Sequence, residues 1–204
     1  MSIDQITSAF IVLWAVMDPI GTVPVFLAVT QKFEKRDKNK IAATAVLVSF
    51  LVLLFFLVAG EVLLKHLEVP LSAFQVSGGL VLLLFALSMI FGDSKPEEEI
   101  KMVKSNTETA IFPLAMPSIA SPGAILAIIL LTNNARHSVL EQVVVAGVMV
   151  VILGIAYLLL RFSDKIYNII GNSGAIIISK VMGMVLASMA ATHILLGIKD
   201  FFQL

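Results

Sequence analysis

The sequence predicts an all-helical integral membrane protein with six transmembrane helices arranged as two inverted three-helix repeats. Three observations lead to this fold class. Hydrophobic residues make up 59% of the 204 residues and charged residues only 14%, with a mean hydropathy of +1.01, and a soluble domain could not cover so much apolar surface. The apolar residues fall into six long segments. The first and fourth segments carry matched proline and glycine breaks, which predict helices broken at the membrane midplane.

Each apolar segment predicts one crossing, because a helix needs roughly 20 mostly apolar residues to span the hydrocarbon core. The connecting loops are short apart from one, so no separate soluble domain fits between the spans. The six predicted spans are Ile6 to Thr30, Ile41 to Leu64, Leu71 to Phe91, Ala110 to Thr132, Val139 to Leu160 and Val181 to Ile198, with a start near Ala175 left open for the last.

The chain is predicted to be one membrane domain, 1–204, divided into a first three-span repeat at 1–92, a cytoplasmic linker at 93–109 and a second repeat at 110–204. Pro19 and Pro122 lie 103 positions apart, and Gly79 and Gly183 lie 104 apart. Near-equal offsets at two independent landmarks favour a duplication. Three spans per half is an odd number, so the second copy is inverted relative to the first.

Basic residues predict the orientation, because short cytoplasmic loops carry an excess of lysine and arginine. Ten of them lie in the loops after spans one, three and five, and three lie on the opposite side. The ten are Lys32, Lys35, Arg36, Lys38, Lys40, Lys95, Lys101, Lys104, Arg161 and Lys165; the three are Lys65, Arg136 and Lys199, with Lys180 at the start of span six left aside. The bias predicts a multi-pass protein of the inner (plasma) membrane with both termini on the outer, periplasmic side.

The two breaks are the predicted substrate site, since unwound backbone survives inside a membrane only where it is buried in protein or lines a wet cavity. The first runs from Asp18 to Pro24 and the second from Pro117 to Gly123. Their prolines are expected to unwind more than one turn, and their glycines to adopt conformations open only to glycine and to approach the ligand. The predicted substrate-binding residues are Asp18, Gly21, Thr22, Ser118, Ser121 and Gly123.

Asp18 is the one acid well inside a predicted span. It could bind a coupling cation, relay a proton or meet a substrate ammonium group, or it could simply cap a helix. Asp18 and Ser121 each precede a proline, which predicts N-caps of two half-helices whose free N–H groups would attract a carboxylate. Pro24 argues against a helix that starts at Pro19, so a restart at Pro24 stays open.

Other chemistry has weaker support. The chain has no cysteine, which excludes thiol redox chemistry and thiolate metal sites, and the three histidines lack ligand spacing, so no metal and no cofactor is predicted. His193 beside Thr192 is a minor candidate for a proton relay, and Gln75 and Ser77 are minor candidates for the site. The net charge of zero gives no sign of nucleic-acid binding.

The two breaks resemble a known family. The patterns Asp-Pro-x-Gly-x-x-Pro from Asp18 and Pro-Leu-Ala-x-Pro-x-Ile-Ala-x-Pro-Gly-Ala-Ile from Pro113, with six spans in about two hundred residues, are similar to the MarC family of bacterial and archaeal inner-membrane proteins. The resemblance covers essentially the whole chain. It implies a transporter of small neutral amino acids such as glycine and alanine, driven by an ion gradient. Ser121 departs from the family pattern, in which glycine is more usual.

The function expected from the sequence is therefore secondary transport of a small neutral amino acid, coupled to a proton or sodium ion, in a lipid bilayer and without enzymatic activity. A homo-oligomer is left open. The first alternative is a channel, which would need a continuous polar lining that the spans do not offer away from the breaks. The second is an intramembrane enzyme, for which a paired acid, a Ser-His arrangement or a metal triad is missing from the sequence.

Overall fold

A computed structural model describes residues 3–30, 33–91, 110–134 and 137–203. All regular structure in these ranges is helical. The predicted cytoplasmic linker at 93–109 lies outside the described residues. The elements are α1 (Ile3–Met17), α2 (Thr22–Thr30), α3 (Lys35–His66), α4 (Leu71–Phe91), α5 (Ala110–Ile119), α6 (Pro122–Leu131), α7 (Val139–Arg161) and α8 (Ser163–Phe202).

Four helices in the described part of the chain are long and apolar enough to cross a membrane. They are Lys35–His66, Leu71–Ser88, Val139–Arg161 and Gly183–Phe202. Their outward surface is apolar: Leu51, Val58 and Leu84 are each more than half exposed. Large exposed apolar faces on every long helix are typical of a protein surrounded by lipid. The remaining two predicted spans are divided into shorter helices, α1 with α2 and α5 with α6.

The second divided span differs from its prediction. Its break is limited to Ala120 and Ser121, because the segment before it, with Pro113 and Pro117, stays helical as the π-helix α5. The N–H of Ala120 continues this pattern by donating to the carbonyl of Ala115 at 2.8 Å, five residues back. Prolines cannot donate backbone hydrogen bonds, and the wider turn keeps the chain helical around them. The expected unwinding by more than one turn is wrong for this half.

The last helix also begins earlier than the predicted Val181 or Ala175. It starts at Ser163 and contains one non-helical residue, Gly171, with φ 68° and ψ 172°. This left-handed φ favours glycine. Gly171 therefore separates a short first segment from the long membrane-crossing segment.

Two antiparallel pairs make up the frame of the molecule, α4 with α8 and α3 with α7. The contact between α4 and α8 is the most extensive and depends on glycine. A methyl group at Gly197 would lie 2.8 Å from the carbonyl oxygen of Ser72, and one at Gly79 would lie 3.1 Å from that of Ala190. These glycines allow the two backbones to approach closely, as the small residues of α4 and α8 predict.

Polar contacts at the helix ends define two faces of the molecule. Lys38 Nζ lies 3.5 Å from Asp164 Oδ1, which joins the start of α3 to the start of α8. At the other end of α3, Glu61 accepts a hydrogen bond from the Asn134 N–H at 2.7 Å. Lys38 and Glu61 are about 35 Å apart along the helix at 1.5 Å per residue, which matches a bilayer core of about 30 Å. We call the side of Glu61 and Asn134, which also holds the end of α8, the carboxyl face.

Candidate functional site

The first break is a tight turn from Asp18 to Gly21, organised by the Asp18 side chain. Asp18 is 2% exposed and takes a left-handed φ of 42°. Its Oδ1 accepts the N–H of Gly21 at 3.0 Å, and its carbonyl accepts both the N–H and the hydroxyl of Thr22 at 3.1 Å. Helix α2 begins at Thr22, so it restarts neither at Pro19 nor at Pro24. The carboxylate closes this turn and does not act as the N-cap of a helix from Pro19, which corrects that prediction.

The second break places Ser121 at the N-cap of α6 with Pro122 at the first helical position, as the sequence predicts. Ser121 is fully buried, and its Oγ accepts the N–H of Ala124 at 3.1 Å. The same hydroxyl donates to the carbonyl of Val16 at 2.8 Å. Val16 belongs to the last turn of α1, so Ser121 joins the second break to the helix that leads into the first.

A second bond joins the breaks directly. Thr22 Oγ1 and Ser118 Oγ lie 3.1 Å apart, and both side chains are buried. The Thr22 hydroxyl donates its proton to the Asp18 carbonyl, so Ser118 is the donor in this pair. The four predicted polar residues, Asp18, Thr22, Ser118 and Ser121, thus lie in one buried cluster although half of them come from each half of the chain.

The two predicted glycines are needed for space, not for φ. Neither takes a left-handed conformation, which corrects that expectation. A methyl group at Gly21 would overlap the Asp18 carboxylate, and one at Gly123 would overlap Leu82 Cδ1 of α4. Gly21 therefore makes room for the acid inside the cluster, whereas the Cβ direction of Gly123 points toward the neighbouring helix.

The two half-helices differ in the charge at their N-termini. A helix N-terminus carries a partial positive charge from its unpaired N–H groups. At α2 this charge is met by the Asp18 carboxylate, while at α6 it is met only by the neutral Ser121 hydroxyl. Pro122 has no N–H, and the bonds to Ser121 use the N–H groups of Ala124 and Ile125, so the Ser121 cap does not use the Gly123 N–H.

A cavity of about 240 Å³ lies between α1, α6 and α8. Most of its lining is apolar, and Thr192 and His193 supply the polar groups. The lining residues are Val12, Ala127, Leu130, Leu131, Met189, Thr192 and His193. Val12 and Ala127 are each six residues from a break, about 9 Å along the helix, on the side of the carboxyl face. His193 lies against Gln75 of α4, with 3.5 Å between His193 Nδ1 and Gln75 Nε2.

The structure does not bring the remaining minor candidate, Ser77, into the break. Its side chain is exposed and donates to the carbonyl of Phe74 at 3.1 Å. Among the residues that the structure describes, no group of three or more His, Asp and Glu side chains is arranged to hold a metal ion.

Comparison with known families identifies the chain. The family model described as MarC family integral membrane protein matches residues 3–202. This chain belongs to the MarC family. It is therefore an integral membrane protein, in agreement with its long apolar helices.

Similar MarC family proteins occur in distant organisms. A UPF0056 membrane protein of Methanocaldococcus jannaschii is 31% identical, with 98% of each chain covered. The UPF0056 inner membrane protein YhgN of Escherichia coli strain K12 is 30% identical over 98% of this chain and 99% of its own. The UPF0056 membrane protein YvbG of Bacillus subtilis strain 168 is 31% identical over 99% and 98%. No solved structure matches the chain.

Sequence reasoning missed Ser49, a buried polar residue in the middle of α3 that contacts α5. Ser49 is fully buried; its hydroxyl donates to the Ala45 carbonyl at 2.9 Å and lies 3.3 Å from the Ala115 carbonyl of α5. A bond to the carbonyl four residues back is usual for serine in a membrane helix, but the second one fixes α3 against the π-helix. The available signal was a single serine near the centre of a span whose other polar residues, Thr44 and Glu61, lie nearer its ends.

Proposed function

We propose that this MarC family protein is a secondary transporter of small neutral amino acids such as glycine and alanine, coupled to a proton or sodium gradient. The observation that carries the proposal is the meeting of the two breaks. Thr22 bonds to Ser118, Ser121 bonds to the Val16 carbonyl, and a half-helix begins beside each contact. Paired broken helices that meet inside the membrane are the usual substrate site of transporters built from inverted repeats.

Hydrogen bonds at the breaks support a repeat. Asp18 accepts from the N–H three residues later, and Ser121, 103 positions further on, does the same. The carbonyls of the same two residues accept the N–H groups of Thr22 and Ile125, again 103 positions apart. At the ends of α2 and α6, Thr30 and Thr132 each donate to the carbonyl four residues back, but they lie 102 positions apart and such bonds are common for threonine in helices. The support for a repeat therefore comes from the two bonds that share the offset of 103.

The packing of the helices supports the same repeat. If the halves are exchanged, α1, α2, α3 and α4 correspond to α5, α6, α7 and α8. The contact of α3 with α5 then corresponds to the contact of α7 with α1. In the same way, the contact of α4 with α6 corresponds to the contact of α8 with α2. All four contacts are present. The pairs α3 with α7 and α4 with α8 map onto themselves. We propose that the fold is six spans in two inverted three-helix repeats.

The charge difference between the breaks fits a zwitterion. An ammonium group would be stabilised by the Asp18 carboxylate, and a carboxylate by the N-terminus of α6, where the Gly123 N–H is not used by the cap. The cluster holds small side chains, which suits a small substrate. Because Asp18, Thr22, Ser118 and Ser121 are all buried, the substrate reaches them only after a conformational change, as alternating access requires.

We further propose an inner-membrane location with both termini outside. The Escherichia coli relative YhgN is named as an inner membrane protein. The basic residues favour cytoplasm for the face that holds Lys38 and Lys165. The carboxyl face, with the end of α8, would then be periplasmic.

Counterflow in proteoliposomes tests the proposed function. Purified protein is reconstituted with unlabelled glycine or alanine inside, and entry of the labelled amino acid is measured against a panel of charged, aromatic and small neutral amino acids. Accelerated exchange of the small neutral ones supports the proposal. Electrical conductance without counterflow would instead identify a channel, and no accelerated exchange of any neutral amino acid would refute this substrate class.

A further inference from the structure

The position and size of the cavity between α1, α6 and α8 suit a small ligand. It lies between the carboxyl face and the breaks, because Leu131 marks the carboxyl-face end of α6 and Ala127 lies about 9 Å from the break. The cavity therefore lies on the carboxyl-face side of the buried cluster. The cavity volume of about 240 Å³ is large enough for a small organic molecule with some water.

Gln75 determines which hydrogen bond His193 can offer. Gln75 is buried on α4, and its Nε2, which can only donate, lies 3.5 Å from His193 Nδ1. We assign Nδ1 of the neutral ring as the acceptor in this contact, which places the ring proton on Nε2. His193 lines the cavity, and with this assignment its Nε2–H is the ring donor that a ligand there would use. An oxygen of a carboxylate is a suitable acceptor for it.

Thr192 offers the opposite group. Its hydroxyl donates its proton to the Ser188 carbonyl at 2.9 Å, so the lone pairs of Oγ1 remain to accept a hydrogen bond. An ammonium group supplies only donors. One donor and one acceptor side by side, with Val12, Leu130 and Met189 as an apolar wall, complement a zwitterion that has a small apolar side chain.

We propose that this cavity is an access site that binds a small zwitterionic amino acid before it reaches the breaks. The carboxylate binds to His193 Nε2–H and the ammonium group to Thr192 Oγ1, while Gln75 is a positioning residue that holds the ring in the required tautomer. The access site rests on the proposed transport function, since it deepens the path to the same central site.

The absence of cysteine from the chain allows a direct test, because a single introduced thiol is the only one present. Val12→Cys places the thiol in the cavity. Ile11→Cys places it one residue away, at nearly the same depth, but on the outer side of α1, where Ile11 is 55% exposed. A small, charged, membrane-impermeant thiosulfonate reagent should modify the Val12→Cys protein in proteoliposomes and not the Ile11→Cys protein. Alanine should slow the modification. Equal modification of both variants, or no modification at Val12→Cys, would refute a wet cavity.

Partial ligands distinguish the two contacts. Ethylamine lacks the carboxylate of alanine and propionate lacks its ammonium group, so alanine should protect Val12→Cys better than either. In the Val12→Cys background, His193→Leu should remove the greater protection by alanine relative to ethylamine. Thr192→Val should remove the greater protection by alanine relative to propionate. We expect each of these differences in protecting concentration to be on the order of ten- to one-hundred-fold. His193→Gln, which keeps an N–H donor, and Thr192→Ser should restore them. An advantage unaffected by His193→Leu or Thr192→Val would refute the assigned contact.

Gln75→Leu should lower the same advantage over ethylamine, and combining it with His193→Leu should lower it no further, because Gln75 acts through His193. An additive loss would refute the positioning role. Wild-type counterflow separates this inference from the proposed function. Counterflow of alanine without protection at Val12→Cys would refute the access site alone, whereas protection without counterflow would refute transport and leave a binding site.

Discussion

The hydroxyl of Ser118 donates to the hydroxyl of Thr22 across 3.1 Å, and this bond connects the two halves of the chain at their breaks. Both groups are buried, so removing one hydroxyl would leave the other without a hydrogen-bond partner, and water does not replace it. The pair is therefore a direct measure of how strongly the breaks are coupled.

Thr22→Val and Ser118→Ala should show this coupling in a double-mutant cycle. We expect each single change to lower the free energy of unfolding by about 1 to 3 kcal/mol, with a coupling energy of about 0.5 to 1.5 kcal/mol. Reversible unfolding in mixed detergent micelles measures it. Strictly additive losses would show that the two hydroxyls do not interact in the folded protein.

Asp18→Asn tests the charge without changing the shape of the turn. Asparagine keeps the oxygen that accepts the Gly21 N–H, so the protein should fold and reach the membrane. The missing negative charge should lower counterflow of alanine at least about tenfold, because a charge-assisted contact is worth about 1.5 to 3 kcal/mol. Ser138→Ala, which removes the neutral N-cap of α7 outside the cluster, is the control for lost capping. Unchanged transport and ion dependence in Asp18→Asn would reduce Asp18 to a structural role.

Gly21→Ala and Gly147→Ala should have opposite effects. A methyl group at Gly21 would overlap the Asp18 carboxylate, so the acid must leave its place and stability should fall by about 1 to 3 kcal/mol. No heavy atom lies within 4 Å of the Cβ position at Gly147 in α7, where alanine should stabilise the helix by about 0.5 to 1 kcal/mol. Thermal unfolding of the two purified variants decides it, and a loss at both positions would point to a general intolerance of side chains.

Gly123→Ala should act mainly through Leu82. The added methyl group would point at this side chain of α4, so we expect less folded protein and partial recovery when Leu82→Ala is added. In the folded fraction, the ratio of alanine to glycine counterflow should stay unchanged. A selective loss of alanine would instead restore the sequence-based expectation that a side chain at 123 fills the substrate space.

Topology provides an independent test of the proposed orientation. Reporter fusions ending at Lys38 and Lys101 should report cytoplasm, and fusions ending at Glu68 and Leu204 should report the outside. Lys38 and Glu61 are held at opposite ends of α3 by contacts to other helices, so the first and third fusions must differ. A cytoplasmic carboxyl terminus would contradict both the six spans and the inverted repeat.

The sequence predicted the helix bounds well wherever the length of an apolar segment or a capping residue determines them. The predicted third span, Leu71 to Phe91, coincides with α4, and Ser121 followed by Pro122 correctly predicted the start of α6. Both signals are local: an apolar run fixes a length, and a capping residue fixes an end. The gathering of Asp18, Thr22, Ser118 and Ser121 in one cluster also followed from the matched breaks.

Features that depend on neighbouring helices were not predicted. Pro113 and Pro117 indicated unwinding, but α5 remains a π-helix, and Ser49 of α3 lies against it. The need for glycine at 21 and 123 was expected from φ, yet it comes from Asp18 and Leu82. No local pattern in span six indicates that His193 and Val12 line the same cavity.

The glycine contacts between α4 and α8 limit how the molecule can move. A methyl group at Gly197 would lie 2.8 Å from the carbonyl oxygen of Ser72, and one at Gly79 would lie 3.1 Å from that of Ala190, so a side chain at either position would crowd main-chain atoms. Sliding one helix past the other would bring larger residues to these close approaches, which opposes a change of register. In the proposed transport cycle, α4 and α8 would then stay together as one rigid pair. The movement would fall to the short half-helices α2 and α6, which pack against this pair.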